Sequence, residues 1–223
     1  MNEKKKDAKS ERPVTSYFLL FTSAFLLAGH FLPWAAHSTA ALTQSAHDLS
    51  ISTNFTPGAG VFLNEWFLLP VWSAALLIVL VTSAAPEFPR IVTFALALGI
   101  ASLGLPTYPQ VLTAYANPDY RLQFFITLAV MASIVLLTIP QGRSVGKWQM
   151  TNGKWALTLT LALLSAVPLI GYWVVRPFIV DLYRDDVGIG LGWWVTLIAT
   201  IALLSLSGGT ILRRSSGKAS SRP

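Results

Sequence analysis

Residues 189–212 read IGLGWWVTLIATIALLSLSGGTIL and are followed at once by Arg213-Arg214. No charged residue occurs in this stretch. A helix needs about 20 apolar residues to cross the roughly 30 Å hydrocarbon core of a bilayer. The stretch is long enough to do so, and the two arginines mark its end at the water interface. It therefore predicts a membrane-spanning helix rather than an element of a soluble domain.

The composition of the whole chain agrees with this segment. Hydrophobic residues make up 53% of the 223 residues and charged residues only 12%, whereas soluble domains carry roughly a quarter. So few charged side chains cannot cover a soluble core, which excludes a soluble globular enzyme. The apolar content excludes a disordered chain. The absence of Cys excludes a disulfide-stapled domain, thiol redox chemistry and thiolate metal sites.

Five further apolar runs precede the quoted segment, and together they predict an all-α, polytopic transmembrane helix bundle. The terminal segments are polar and rich in Lys, Arg and Ser, which is typical of disordered tails. The predicted spans are residues 17–35, 62–84, 91–113, 122–139, 155–175 and 189–212, with disordered cytoplasmic tails at residues 1–16 and 213–223. Such a division leaves no room for a separate soluble domain.

The third of these runs is the least regular. It is uninterrupted only from Ile91 to Leu105, before Pro106 and Pro109. A helix of that length rises only about 22 Å, less than the hydrocarbon core requires. The run is therefore either a re-entrant segment or a helix that continues past Pro106 with a kink toward Tyr115.

The distribution of basic residues favours six spans. With both termini inside, thirteen of the 16 Lys and Arg residues lie on the cytoplasmic side. Only Arg121, Arg176 and Arg184 then remain outside. A third run that does not cross would reduce this bias to about nine against seven, contrary to the positive-inside rule. The prediction is therefore an N-in/C-in topology, and the net charge of +6 reflects topology rather than a nucleic-acid partner.

Two alternatives concern the first span and the loop after it. The basic N-terminus, the apolar run and the small residues around Ala40 resemble a cleavable signal peptide. The run is longer than usual for such a peptide and ends at Pro33-Trp34, which favours an uncleaved span. The loop at residues 36–60 is read either as a connector with local turns or as a lid on the outer face.

Residues that would support catalysis or ion coupling are missing from the spans. Their central portions contain no Asp, Glu, Lys or Arg, which argues against proton- or sodium-coupled transport. The chain contains no HExxH, GxSxG or GxxxxGK[ST] motif. The glycines of residues 188–192 open a membrane helix and do not form a nucleotide-binding loop. We therefore predict no catalytic residue and no cofactor.

The histidines cluster at one place in the sequence, the outer end of the first span and the following loop. Imidazole and carboxylate groups together can bind Zn²⁺ or Cu²⁺. No HxH or HxxxH spacing fixes their geometry, so the sequence predicts no metal site. The outer-face candidates for such a site are His30, His37, His47, Asp48 and Glu65. A second outer cluster, around Asp185 and Arg176, is read as surface salt bridges.

Pairs of small residues four positions apart suggest close helix packing. They lie in the third, fifth and sixth spans, and they allow backbones to approach closely. The pairs are Ala95 with Gly99, Ala162 with Ala166, Gly188 with Gly192, and Ser205 with Gly209. They serve either contacts within the bundle or a partner membrane protein, and the lipid bilayer itself is the other expected partner.

Short motifs at both ends of the chain carry a resemblance. They are Phe31-Leu32-Pro33-Trp34, Asp48-Leu49-Ser50, the GLGWW of residues 190–194 and Gly208-Gly209. In these the chain resembles small bacterial multi-pass membrane proteins of no assigned function. The resemblance implies a bacterial cytoplasmic (inner) membrane and carries over no active residue.

The leading functional hypothesis is a non-enzymatic accessory or scaffold subunit. The alternatives are a permease-like component for a neutral or apolar solute, and an intramembrane enzyme with an outer-face His/acid pocket.

Overall fold

The computed structural model describes residues 3–38, 43–53, 63–84, 89–138 and 152–219, and this part of the chain is mostly helical. The elements are α1 (Glu3–Phe31), β1 (Pro33–Ala36), β2 (Gln44–Ser45), α2 (Ala46–Ser52), α3 (Leu63–Ala84), α4 (Arg90–Ser102), α5 (Pro118–Thr138), α6 (Asn152–Tyr183), β3 (Gly188–Ile189) and α7 (Leu191–Ala219). A 3-10 turn at Gln110–Leu112 lies between α4 and α5.

Five of the helices are long and apolar enough to cross a membrane. The qualifying segments are Val14–Phe31, Asn64–Val81, Pro118–Thr138, Gly153–Tyr183 and Leu191–Leu212. Each coincides with a span predicted from sequence, although α1 ends earlier and α6 continues further than expected. The prediction of a helical membrane protein is therefore supported by length and composition.

Helix α3 forms the centre of the bundle. In its apolar segment 83% of the residues are buried, compared with 17% in α5 and 28% in α7. Helices α1, α4, α5 and α6 all pack against α3, and α7 packs against α1 and α6. A helix that is apolar all round suits such an enclosed position. The exposed side chains of the outer helices are themselves largely apolar, among them Phe21, Leu136 and Ile198.

A small antiparallel sheet and α2 cover one end of this bundle. Strand β1 pairs on one side with β2 and on the other with β3. Because β1 follows α1 and β3 precedes α7, the sheet joins the end of α1 to the beginning of α7. Helix α2 packs against α3. We call this the capped end; it also contains the beginning of α3 and the end of α6.

The sheet and α2 refine the expectation of a purely helical chain. Part of the loop predicted at residues 36–60 is folded, and residues 39–42 and 54–60 lie outside the described part. Pro33 cannot continue α1 because its nitrogen has no hydrogen to donate to a helical hydrogen bond. The chain therefore leaves α1 in an extended conformation, which β1 retains by pairing on both sides.

Helix α4 is shorter than the predicted span at residues 91–113. It ends at Ser102 and does not continue past Pro106 toward Tyr115. Pro106 disfavours a helical conformation in the residue before it, which accounts for a stop just upstream. The freed carbonyl of Gly104 accepts hydrogen bonds from Gln123 Nε2 at 3.0 Å and Thr127 Oγ1 at 2.9 Å.

Both terminal helices reach into the segments predicted as tails. Helix α1 already begins at Glu3, and α7 extends to Ala219, within the regions expected to be disordered tails. Glu, Lys, Arg and Ala are good helix formers, and the long apolar helix beside each tail supplies the nucleus that an isolated segment lacks.

Candidate functional site at the capped end

Trp34 of β1 anchors the cap to the bundle. Its side chain is fully buried, and Nε1 donates a hydrogen bond to the Gly29 carbonyl at 2.7 Å. The indole packs edge-on against Phe67 of α3 and Tyr172 of α6, with ring centroids 5.8 and 6.3 Å apart. One side chain thus ties the sheet to three helices.

The glycines before and inside α7 permit a very close crossing of α7 and β1. A Cβ atom at Gly190 would overlap the Pro33 carbonyl, and one at Gly192 would overlap the Leu32 carbonyl. The Gly190 amide donates to the Trp34 carbonyl at 2.7 Å. The glycine-rich stretch therefore serves backbone packing.

Arg176 holds the turn between α6 and α7. Its guanidinium pairs with Asp186 at 2.9 Å and donates through Nε to the Val187 carbonyl at 3.0 Å. The hydroxyl of Tyr172 donates to the Gly188 carbonyl at 3.1 Å. The Arg176–Asp186 pair confirms one member of the predicted salt-bridge cluster.

His37, directly after β1, contacts this turn. Its Nε2 lies 3.2 Å from Asp185 Oδ2, and its ring packs edge-on against Tyr183 with centroids 5.7 Å apart. Tyr183 also accepts a hydrogen bond from Gln44 Nε2 at 2.8 Å. His37 therefore has a structural role. Its contacts are separate from those of the other two histidines.

We expect the His37–Asp185 contact to contribute little to stability. Asp185 is 59% exposed, and exposed ion pairs contribute about 0.2–1 kcal/mol. A double-mutant cycle with His37→Phe and Asp185→Asn, measured by thermal unfolding in mild detergent, should give a coupling below about 1 kcal/mol. The same cycle between His37 and Asp186, which pairs with Arg176, serves as the control. A coupling well above that value would show that the contact holds the cap shut.

His30 and His47 meet, although they lie seventeen positions apart in the sequence. Their ring centroids lie 5.7 Å apart, and Phe31 packs against both rings. His30 is fully buried near the Phe67 backbone, yet neither of its ring nitrogens forms a hydrogen bond of ordinary geometry among the described residues. The Nδ1 atom of His47 and the Oε2 atom of Glu65 are likewise buried without such a bond.

Asp48, the fourth metal candidate, is used by the cap of α2. Its carboxylate accepts hydrogen bonds from the backbone and hydroxyl of Ser45 at 2.8 and 2.7 Å. The Asp48 amide in turn donates to Ser45 Oγ, which completes a capping box. The described part of the chain contains no group of three His, Asp or Glu residues placed to hold a metal ion. The five candidates are thus divided among separate contacts.

A cleft of about 100 Å³ opens beside His47. It lies between α2, the irregular segment 103–117 and the beginning of α5. Its polar lining residues are His47, Ser50, Thr107, Gln110, Tyr120 and Gln123. Apart from His47, sequence reasoning did not single these out. The one available signal was Gln123, an amide within an apolar span where polar side chains are functional or paired.

Compared with protein families, with characterised proteins and with solved structures, the chain shows no match. The functional proposal therefore depends on the sequence and on the geometry of the structure.

Proposed function

We propose that the chain is a six-crossing, N-in/C-in integral membrane protein that acts as a non-enzymatic accessory or scaffold subunit. The observation that carries this proposal is the packing of the interior. Helix α3 is enclosed by four others, and the cleft beside His47 lies at the capped end. Of the buried polar atoms that lack a hydrogen bond among the described residues, those of His30, His47 and Glu65 belong to that end. Others lie along the bundle and toward its opposite end, namely Trp72 Nε1, Thr200 Oγ1 and Trp155 Nε1.

The sixth crossing would consist of α4 together with segment 103–117. A Cβ at Gly104 would overlap the Trp72 indole, which puts the end of α4 beside the middle of α3. The chain then continues to the cleft that it shares with α2. Irregular backbone is tolerated at membrane depth when its polar groups are satisfied by protein. The Gln123 and Thr127 bonds to Gly104 meet that condition.

The direction of insertion follows from charge. Of the 16 Lys and Arg residues, only Arg121, Arg176 and Arg184 would lie on the side of the capped end. The positive-inside rule then assigns the capped end to the outside and both termini to the cytoplasm. Together with the resemblance to small bacterial multi-pass proteins, this supports a bacterial inner-membrane location.

Outward-facing small residues support the accessory role. Cβ atoms at Gly99, Gly208 and Gly209 would have nothing within 4 Å, and Ala95 and Ser205 are exposed. Glycines used within the bundle, such as Gly29 and Gly192, are crowded by neighbouring helices or strands. Small outward faces let a second membrane protein approach closely.

A permease-like role is the second candidate, and the break in α4 favours it. Interrupted helices with a polar cleft at the break are typical binding sites in transporters. Such a role requires the cleft to continue to the opposite side, so a solute-conducting chain would contradict the scaffold proposal. An intramembrane enzyme has weaker support, because the Asp48 carboxylate already accepts hydrogen bonds from Ser45 in the cap of α2, and the described residues place no three His, Asp or Glu side chains together.

The proposed topology predicts a specific labelling pattern. The chain has no Cys, so single cysteines can be introduced at the exposed residues Ser38, Tyr115 and Gly153 without background. A membrane-impermeant maleimide added to intact cells should label Ser38→Cys and Tyr115→Cys, and should reach Gly153→Cys only after permeabilisation. Labelling of Ser38→Cys without Tyr115→Cys would show that α4 is re-entrant. Protection of Ser38→Cys from the reagent would show that the whole orientation is the reverse of the proposed one.

The accessory role is tested by affinity purification in mild detergent. We expect a stoichiometric membrane partner that is lost in Gly99→Leu or Gly208→Leu. Leu164→Ile is the control, since it alters an exposed α6 position while retaining its volume. A chain that purifies alone as a monodisperse species would contradict the proposal, as would a partner retained by both glycine variants.

A further inference from the structure

The polar lining of the cleft beside His47 is held in place before any ligand arrives. The Gln123 amide is fixed by its bond to the Gly104 carbonyl at 3.0 Å. Thr107 Oγ1 donates to Gln110 Oε1 at 3.4 Å, and Ser50 Oγ donates to the His47 carbonyl at 2.7 Å. Groups positioned in this way bind a ligand with little loss of side-chain entropy.

The lining determines the charge of a suitable ligand. Its described residues supply hydroxyl, amide and imidazole groups beside leucine and proline side chains, and none of them is Lys, Arg, Asp or Glu. A charged ligand would lose its hydration without meeting an opposite charge, which is costly. Hydroxyls and amides both donate and accept hydrogen bonds. The cleft therefore suits an uncharged group that does the same.

The size and surroundings of the cleft restrict the class of suitable ligand further. A volume of about 100 Å³ holds several waters or a group of a few heavy atoms, since one water needs about 10–15 Å³ by this measure. Tyr108, Leu112 and Tyr115 on the same segment are strongly exposed. Tyrosine and leucine together are typical of a membrane interface. The cleft thus opens where both outer water and lipid can reach it.

We propose that this cleft binds an uncharged polyol group of about the size of glycerol, supplied either as a free solute or as the headgroup of a neutral lipid. His47, Gln110 and Gln123 provide the hydrogen bonds. The leucine side chains that line the cleft accommodate an acyl chain when the group belongs to a lipid. The inference is independent of the accessory role, because binding here needs no second protein.

Two probes separate the sources, both with the full chain in lipid nanodiscs. Glycerol binding is measured by saturation-transfer NMR, and monooleoylglycerol binding by native mass spectrometry. We expect saturable binding of at least one probe. Binding of glycerol alone identifies a free solute, and preference for monooleoylglycerol identifies a lipid headgroup. An anionic lysophosphatidylglycerol should bind at least tenfold more weakly.

Matched variants test the location. His47→Phe and Thr107→Trp should weaken binding at least tenfold, the first by removing a polar group and the second by filling the cleft. His37→Phe, the same change at a cap histidine outside the cleft, should bind like the parent chain. Thermal unfolding of each variant confirms that the fold is retained.

Several results would overturn the proposal. They are absence of binding by both probes, preference for the anionic lipid, equal binding by the folded Thr107→Trp variant, or equal loss in His37→Phe. Zn²⁺ binding that depends on His30 and His47 and displaces both probes would show that the ligand of this site is a metal ion and not a polyol. None of these results would alter the co-purification test of the accessory role.

Discussion

Replacing Gly192 by valine is expected to destabilise the capped end more than any other single glycine substitution that we propose. A Cβ at this position overlaps the Leu32 carbonyl and approaches the Trp34 indole and the Gly29 carbonyl. Two of these obstacles are backbone atoms, which cannot rotate away. Overpacking typically costs about 1–3 kcal/mol and sometimes more, and we expect a loss of at least about 3 kcal/mol here.

Thermal unfolding in mild detergent, followed by circular dichroism, measures this effect. A loss of that size corresponds to a fall of roughly 6–12 °C in Tm for a chain of this length. Gly208→Val is the matched control in the same helix, because a Cβ there has nothing within 4 Å. Equal losses in the two variants would mean that the valine lowers helix stability in general and that the crossing of α7 and β1 is not tight.

Replacing Trp34 by alanine should have an effect of similar size through the opposite cause, a cavity. Removing a buried aromatic side chain costs about 3–5 kcal/mol. The indole also donates to the Gly29 carbonyl, and its loss leaves that buried acceptor without this bond. We therefore expect a lower Tm, with the cap loosened from α3 and α6 together.

A second variant at this position separates packing from hydrogen bonding. Trp34→Phe retains a ring against Phe67 and Tyr172 but loses the bond to Gly29, so it should recover more than half of the stability. Trp194→Ala is the control, because Trp194 is 47% exposed. Circular dichroism avoids the change in tryptophan fluorescence. A Trp194→Ala variant that is as unstable as Trp34→Ala would contradict the anchoring role of Trp34.

The long helices could be predicted because the sequence pattern that identifies each of them is contained within its own residues. Uncharged runs between polar ends identify five spans to within a few residues, apart from the C-terminal extension of α6. The break in α4 was also visible, since Pro106 interrupts the apolar run. The hydrogen bonds that satisfy the backbone at that break could not be predicted. Gln123 and Thr127, which donate them, follow Gly104 only after a turn and the start of another helix.

The site was harder to predict because its members come together through the cap. His30 and His47 touch only because the chain turns at Pro33, pairs as β1 and returns as α2. Strands of two to four residues are too short to show a period-two pattern. The histidines were visible as a group in sequence, but their division between His30–His47 and His37–Asp185 depends on long-range pairing of β1.

The enclosed position of α3 has a consequence for biogenesis. The ribosome makes α3 before α4, α5 and α6, so the helix that ends at the centre must first reside in the bilayer with most of its surface against lipid. Between Trp66 and Val81 its one hydroxyl or charged side chain is Ser73, whose Oγ reaches the Leu161 carbonyl of α6 at 3.3 Å. Until α6 exists, that hydroxyl can bond a carbonyl one turn earlier in its own helix. The Ser73 hydroxyl is therefore satisfied at each stage of translation, first within α3 and then by α6.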